Sequence, residues 1–215
     1  MYTLYYSPRT ASMLVHLMLL ETGAAHRLQL VDIDKQQQKD PAYLRLNPNG
    51  VVPTLVLDEQ PYTEAAAIAM LLAERHPESG LAPARGTVAY DLWRQWMLSL
   101  SHNLQASFRL WFYPQELGNA SHPEALSQAI QQKIARIWDQ LDHHLSQQGP
   151  YLLGEQFTCA DLYLTMLMRW SRNMPHPATE WPALRALTAR VVQRPAWQRM
   201  MEIEAVDPWP RDLQS

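Results

Sequence analysis

The chain has almost no cysteine. Its 215 residues include one, Cys159, which has nothing to pair with inside the chain. That excludes an intramolecular disulfide scaffold and points to a reducing compartment, so a cytoplasmic protein is expected. An excess of charge of one sign is also missing: 18 Lys and Arg stand against 21 Asp and Glu, a formal net charge of -3. With an isoelectric point near 6.2, the chain lacks the basic footprint of a nucleic-acid binder. Long apolar runs are absent too, and 65–73 falls far short of the ~20 residues of a membrane helix, so no membrane association is expected. The opening Met-Tyr-Thr-Leu-Tyr-Tyr carries no basic stretch followed by an apolar core, and no secretory signal is expected. Internal repeats and low-complexity segments are lacking, and no metal site is expected. What is present is a 47% hydrophobic fraction with 8 Trp, on a chain long enough to bury a large core without staples.

Periodicity changes character near residue 80. Before it, short β-type runs alternate with helical stretches: a strand at 3–6, an apolar helix at 13–21 stopped at Gly23, and an alternating strand at 27–33. A short helix at 41–46, a strand at 52–57 turned through 58–61 into Tyr62-Thr63, and an Ala-rich helix at 64–75 follow. The order β-α-β-α-β-β-α predicts a small α/β domain over 1–80. Pro77, Gly80, Pro83 and Gly86 mark a break, with a linker at 81–87. Beyond it, 88–112, 123–147, 160–173, 181–193 and 196–204 all carry helical periodicity. An all-α domain over 88–215 is expected, packed around Trp93, Trp96, Trp138, Trp170 and Trp197.

Three strings carry more than periodicity. In Asn47-Pro48-Asn49-Gly50-Val51-Val52-Pro53-Thr54-Leu55, Pro53 opens a strand that reads as buried, where its missing N–H should be harmful. Either this is an edge-strand proline, or the Val52–Pro53 bond is cis and turns the main chain of Val52 outward, free to pair with an extended peptide. In Tyr62-Thr63-Glu64-Ala65-Ala66-Ala67-Ile68, Glu64 stands at a helix start. It is either a first-turn cap or a partner for a ligand ammonium, with the free amides behind it available to a carboxylate. In Phe157-Thr158-Cys159-Ala160-Asp161-Leu162, Thr158 as N-cap and Asp161 three residues on form a capping box, with Phe157 and Leu162 as its hydrophobic staple. This last string is a folding signal.

On these strings, Asn-Pro-x-Gly-x-Val-Pro at 47–53, Glu-Ala-x-Ala-Ile at 64–68 and Gly-x-x-Phe-Thr-x-Ala-Asp at 154–161, the chain resembles a cytosolic glutathione transferase. The opening Leu4-Tyr5-Tyr6-Ser7-Pro8 is most similar to bacterial beta-class-like members. The resemblance covers nearly the whole chain. It implies a thioredoxin-like first domain, an all-helical second domain, glutathione as co-substrate, a small electrophilic and largely apolar second substrate, and a homodimer. It implies that Val52, beside a cis Pro53, pairs with the cysteinyl unit of glutathione, that Glu64 and Ala65 hold its γ-glutamyl end, and that Lys35 or Gln36 reaches its glycyl carboxylate. Many relatives carry Ser where this chain has Ala65.

The reactive position departs from the beta-class pattern. Where that class carries its cysteine this chain has Ala11, flanked by Thr10 and Ser12, with Arg9 just before. The chemistry needs a donor that lowers the pKa of the glutathione sulfur. Thr10 or Ser12 supplies it as a catalytic hydroxyl, or both simply cap the helix that follows. The class's His-Lys pair becomes Gln105-Ala106, with His102 one turn earlier. For the electrophile pocket the candidates are Phe108, Arg109 and Phe112, in a crowded aromatic stretch that equally suits a core. Three functions therefore compete: conjugation of glutathione to an electrophile, glutathione-dependent reduction of a disulfide or peroxide, and a binding or regulatory protein on a transferase frame that has lost its chemistry.

Overall fold

The computed structural model describes residues 1–209. They divide into two compact units, Met1–Ala82 with Val192–Pro208, and Pro83–Val191 with Trp209. In the first, strands β1 (Tyr2–Tyr6), β2 (His26–Leu30), β3 (Thr54–Leu57) and β4 (Gln60–Tyr62) form one sheet in the order β2-β1-β3-β4. β2 runs parallel to β1, while β3 is antiparallel to both β1 and β4. Helices α1 (Ser12–Glu21) and α2 (Pro41–Leu44) connect the strands, and α3 (Ala65–Arg75) follows β4. This is the small α/β domain that the order of elements predicted, in the thioredoxin-like arrangement that the resemblance implied.

The sequence of α1, Ser-Met-Leu-Val-His-Leu-Met-Leu-Leu-Glu, has no polar face, and every residue from Ser12 to Leu19 is buried. A helix that is apolar all round must be covered on all sides. β1 and α3 cover part of it, and α9 (Pro195–Ile203) covers another part. A buried hydrogen bond and an ion pair fasten that contact. His16 Nδ1 lies 2.8 Å from Glu204 Oε1, both side chains fully buried, and Arg194 donates to both carboxylate oxygens of Glu21 at 2.6 and 2.8 Å. This changes the expected membership of the chain's end. A single helical domain over 88–215 was expected, with Trp197 in its bundle; instead Val192–Pro208 groups with the first unit, and Trp197 and Met200 are buried there. Residues 210–215 of that expected domain lie outside the described residues. The chain leaves α1 as a helix C-terminus should: Gly23 takes a φ of +63°, while Gly23 and Ala24 N–H close back on the Leu20 and Leu19 carbonyls.

The second unit is helical: α4 (Val88–Ser99), α5 (Ala106–Phe112), α6 (Glu124–Gln148), α7 (Cys159–Trp170) and α8 (Pro182–Val192). The single helix expected over 88–112 is interrupted by a π-helical stretch, Leu100–Gln105, where the wider turn re-registers the side chains that follow. α7 is buried from Cys159 to Arg169, and Trp93 and Trp138 are buried with it. The capping box forms as its sequence predicts. Thr158 Oγ1 accepts from Ala160 N–H, and the Asp161 carboxylate accepts from the N–H groups of Thr158 and Leu152, each at 2.8 Å. Among the described residues, no helix is long and apolar enough to cross a membrane.

Two outcomes follow from this packing. Thr158→Ala removes a fully buried cap and is expected to cost about 1–2 kcal/mol in urea unfolding followed by tryptophan fluorescence. Cys159 is fully enclosed, with its Sγ 3.7 Å from Met97 Sδ, and burial pushes its thiol up to about 12. At about pH 8 the folded protein should therefore resist iodoacetamide and take up one equivalent only after unfolding, as mass spectrometry would record.

Candidate functional site

Strand direction decides what meets at one end of the sheet. β1 and β2 run out at that end, with Tyr6 and Leu30 as their last partners. β3 begins there, since Thr54 pairs with Tyr5, and β4 ends there, since Tyr62 pairs with Leu55. Four connections therefore emerge together: 7–11 after β1, 31–40 after β2, 47–53 before β3, and 63–64 before α3. They carry Thr10, Lys35, Val52, Pro53, Glu64 and, at the start of α3, Ala65. Helices α1 and α3 both begin at this end with no acidic residue in their first turns, so the positive ends of two helix dipoles lie there; the first amides of α1 turn back onto Thr10 and Ala11.

The connection before α1 is tied by its own hydroxyls. Ser12 Oγ lies 2.9 Å from the Ser7 carbonyl, to which it donates, and accepts from Ser7 N–H at 3.2 Å. Thr10 Oγ1 lies 2.8 Å from Ser12 Oγ and 2.7 Å from the Ser7 carbonyl, and accepts from Ser12 N–H at 3.3 Å. Burial separates the two hydroxyls offered by the sequence: Ser12 is fully enclosed, while Thr10 is half-buried. Ala11, at the position of the class cysteine, is buried.

The Val52–Pro53 peptide is cis. The ladder with β1 starts only at Thr54, and among the described residues the Val52 N–H and C=O enter no recorded hydrogen bond. Its neighbour is pinned hard instead. The Val51 carbonyl accepts from Tyr43 OH and from Asn47 Nδ2, each at 2.7 Å. Burial raises the pKa of Tyr43, which keeps the phenol protonated as that donor. Tyr43 and the buried Asn47 thus hold the loop from beneath, a role the sequence reading did not assign; an aromatic in the short helix ahead of the Asn-Pro-x-Gly string was the available signal.

Glu64 is exposed, with a φ of +67°, and its side chain makes no capping hydrogen bond to α3. The plain first-turn cap is therefore not what the structure shows. A non-glycine residue held in this region stores roughly 1–3 kcal/mol of strain and is retained where its surroundings impose it. Ala65 is buried at the first turn of α3. Lys35 is highly exposed and paired with Asp32 at 2.8 Å, which holds that carboxyl below its ordinary value. It is Lys39 that lies against the 47–53 loop, with Nζ 3.4 Å from the Asn49 carbonyl.

The second unit treats its candidates differently. Phe108 is fully buried, its ring 5.8 Å from Trp170, 6.2 Å from Trp138 and 5.9 Å from Phe112. It packs among the core rings. Arg109 is exposed, forked onto both oxygens of Glu116 and stacked 5.0 Å from the Tyr113 ring, so its charge is already engaged. Phe112 offers an exposed aromatic face, and its ring meets Trp170 edge-on. Gln105 accepts from the Tyr163 hydroxyl, whereas His102 is exposed.

Known proteins share this architecture. The model for the glutathione S-transferase N-terminal domain matches residues 11–75, and that for the C-terminal domain matches 124–190. The chain belongs to the glutathione S-transferase family. It is 29% identical to glutathione S-transferase GST-4.5 of Xanthomonas campestris pv. campestris over 95% of this chain and 99% of that protein. A glutathione transferase of Methylococcus capsulatus superposes with a TM-score of 0.83 at 32% identity, covering 95% of this chain and 99% of that one. A sphingomonad glutathione S-transferase, solved in complex with glutathione, does so with a TM-score of 0.84 at 28% identity, over 95% and 100% of the two chains.

Gly50 is the residue that lets the loop close. Its φ is +58°, and a Cβ there would stand 2.9 Å from the Gln38 carbonyl and 2.8 Å from Lys39 Nζ. Gly50→Ala is expected to destabilise the fold by about 1–3 kcal/mol, read as a lower urea midpoint, because both the dihedral and the space forbid it.

Proposed function

We propose that the protein is a glutathione transferase in which Thr10 donates a hydrogen bond to the glutathione sulfur. The observation that carries this reading is the convergence, at one end of the sheet, of a half-buried hydroxyl, the unpaired main chain of Val52, the strained and exposed Glu64, and the N-termini of two helices. An extended peptide with a thiol in its middle and an ammonium and carboxylates at its ends matches those groups one for one. Its cysteinyl main chain pairs with Val52, its γ-glutamyl ammonium with Glu64 and its α-carboxylate with the amides behind Ala65. Its glycyl carboxylate reaches Lys35 or Lys39.

Thr10 suits the catalytic role and Ser12 a positioning one. Ser12 Oγ and Thr10 Oγ1 both donate to the Ser7 carbonyl, and Ser12 N–H donates to Thr10 Oγ1. When glutathione binds, the half-buried Thr10 hydroxyl turns its proton to the sulfur, and Ser12 keeps the Ser7 carbonyl satisfied. That arrangement stabilises the thiolate over the thiol and lowers its pKa. The thiol proton passes to solvent. A sulfur lone pair then forms a bond to the electrophilic carbon of a largely apolar acceptor, and the leaving group departs with its bonding pair. With no cysteine at position 11, the working sulfur is the ligand's. The same reading carries a homodimer in the cytoplasm.

Calorimetry should detect glutathione at micromolar to millimolar affinity, and ultraviolet difference spectra should show bound thiolate at neutral pH. Thr10→Ala is expected to raise the thiol pKa of bound glutathione by about one to two units and to lower kcat/KM by about 10- to 100-fold, with Thr10→Ser retaining most of both. No glutathione binding at ~10 mM, or an unchanged thiolate signature in Thr10→Ala, would sink the assignment.

A further inference from the structure

Arg9 is the charged side chain that this chemistry leaves unused. It sits immediately before Thr10 and is held at a φ of +66°, in the left-handed region that a non-glycine residue enters only at a cost. The connection fixes this dihedral from both sides, because the hydroxyls of Thr10 and Ser12 close onto Ser7. A glycine would satisfy the turn without strain, so the arginine is retained for its side chain and not for the backbone.

That side chain is loosely engaged. Its recorded partner is Asp207, with 3.7 Å between Arg9 Nη2 and Asp207 Oδ2, and the two side chains are 49% and 74% exposed. An exposed pair at that distance is weak and readily exchanged. The other cations in the connections at this end of the sheet are better occupied: Lys35 stands 2.8 Å from Asp32, and Lys39 lies against Asn49 and Gly50. Arg9 is thus a guanidinium beside the proposed thiolate donor, already presented with a carboxylate that an incoming one can replace. Its planar fork suits a carboxylate better than any neutral group.

We propose that Arg9 selects second substrates bearing a carboxylate or similar anionic group close to the electrophilic carbon, an inference that rests on the reading of the site given above. Arg9 exchanges Asp207 for that group, which places the carbon against the sulfur held by Thr10. Asp207 is the competitor that neutral acceptors never displace.

The test uses two acceptors with the same leaving group and matched reactivity toward free thiolate, one a carboxylate and the other its amide. In Arg9→Ala the ratio of kcat/KM for the anionic over the neutral acceptor should fall by about tenfold, chiefly through KM, with Arg9→Lys recovering part of the ratio. Asp207→Asn should raise the same ratio by about threefold, since it removes the competing carboxylate. Arg9→Gly, which relieves the strained dihedral, should repeat the Arg9→Ala ratio in a protein at least as stable, so a folding defect cannot imitate the result. A ratio within about twofold of wild type in both Arg9→Ala and Arg9→Gly overturns the inference, whatever the absolute rates, because a merely structural or thiol-activating arginine affects both acceptors alike. Wild-type protein that binds glutathione but turns over neither acceptor overturns the transferase reading, and this inference with it.

Discussion

A helix with no polar face cannot sit on a surface, and the rest of the first unit depends on that fact about α1. Residues Ser12–Leu19 bury apolar side chains in every direction, so a sheet on one side and α3 beside it leave part of the helix uncovered. The chain answers by bringing back a segment from nearly two hundred residues later. α9 and the turn after it cover α1, and His16 with Glu204 forms a fully buried pair across that contact. A buried pair of this kind adds little net stability over an apolar substitute, but removal of either partner leaves the other stranded. Its effect is to set the position of α9 along α1, and Glu21 with Arg194 sets it a second time, at the C-terminal end of the helix.

With α1 immobilised, the connection that leads into it becomes a rigid piece. Three hydroxyl-bearing residues, Ser7, Thr10 and Ser12, share a closed set of hydrogen bonds at the point where β1 becomes α1. From α2 and the turn that follows it, Tyr43 and Asn47 do the same for the loop that presents Val52. Preorganisation of this sort removes the ordering cost that a ligand would otherwise meet on binding. It also explains how the chain tolerates a non-glycine residue at positive φ in Arg9, since the hydrogen bonds of Thr10 and Ser12 to Ser7 close the turn around it.

The helical unit follows a different logic. Its order comes from a helix, α7, buried along nearly its whole length and started by a capping box whose Asp161 also ties down the preceding turn at Leu152. The aromatic residues near the end of α5 divide by burial, Phe108 joining the rings of Trp138 and Trp170 while Phe112 keeps an exposed face. Nothing in their spacing distinguishes the two: both are phenylalanines one helical turn apart, and only the placement of α6 and α7 separates core from surface.

Much of this protein was legible locally. The alternation of strands and helices before residue 80, the stop at Gly23 and the capping box at Thr158 rest on dihedral preference, side-chain period and hydrogen bonds between near neighbours, which a sequence states directly. Between an edge-strand and a cis Pro53 the local sequence left the choice open. Tertiary structure decided the rest. It made Ser12 a buried brace and left Thr10 accessible, bound Lys35 to Asp32 while laying Lys39 beside Gly50, enclosed Phe108, and moved Trp197 out of the expected bundle to cover α1. Each of those outcomes depends on which surface a distant segment covers. Burial is a property of the assembled layers, and no window of neighbouring residues contains it.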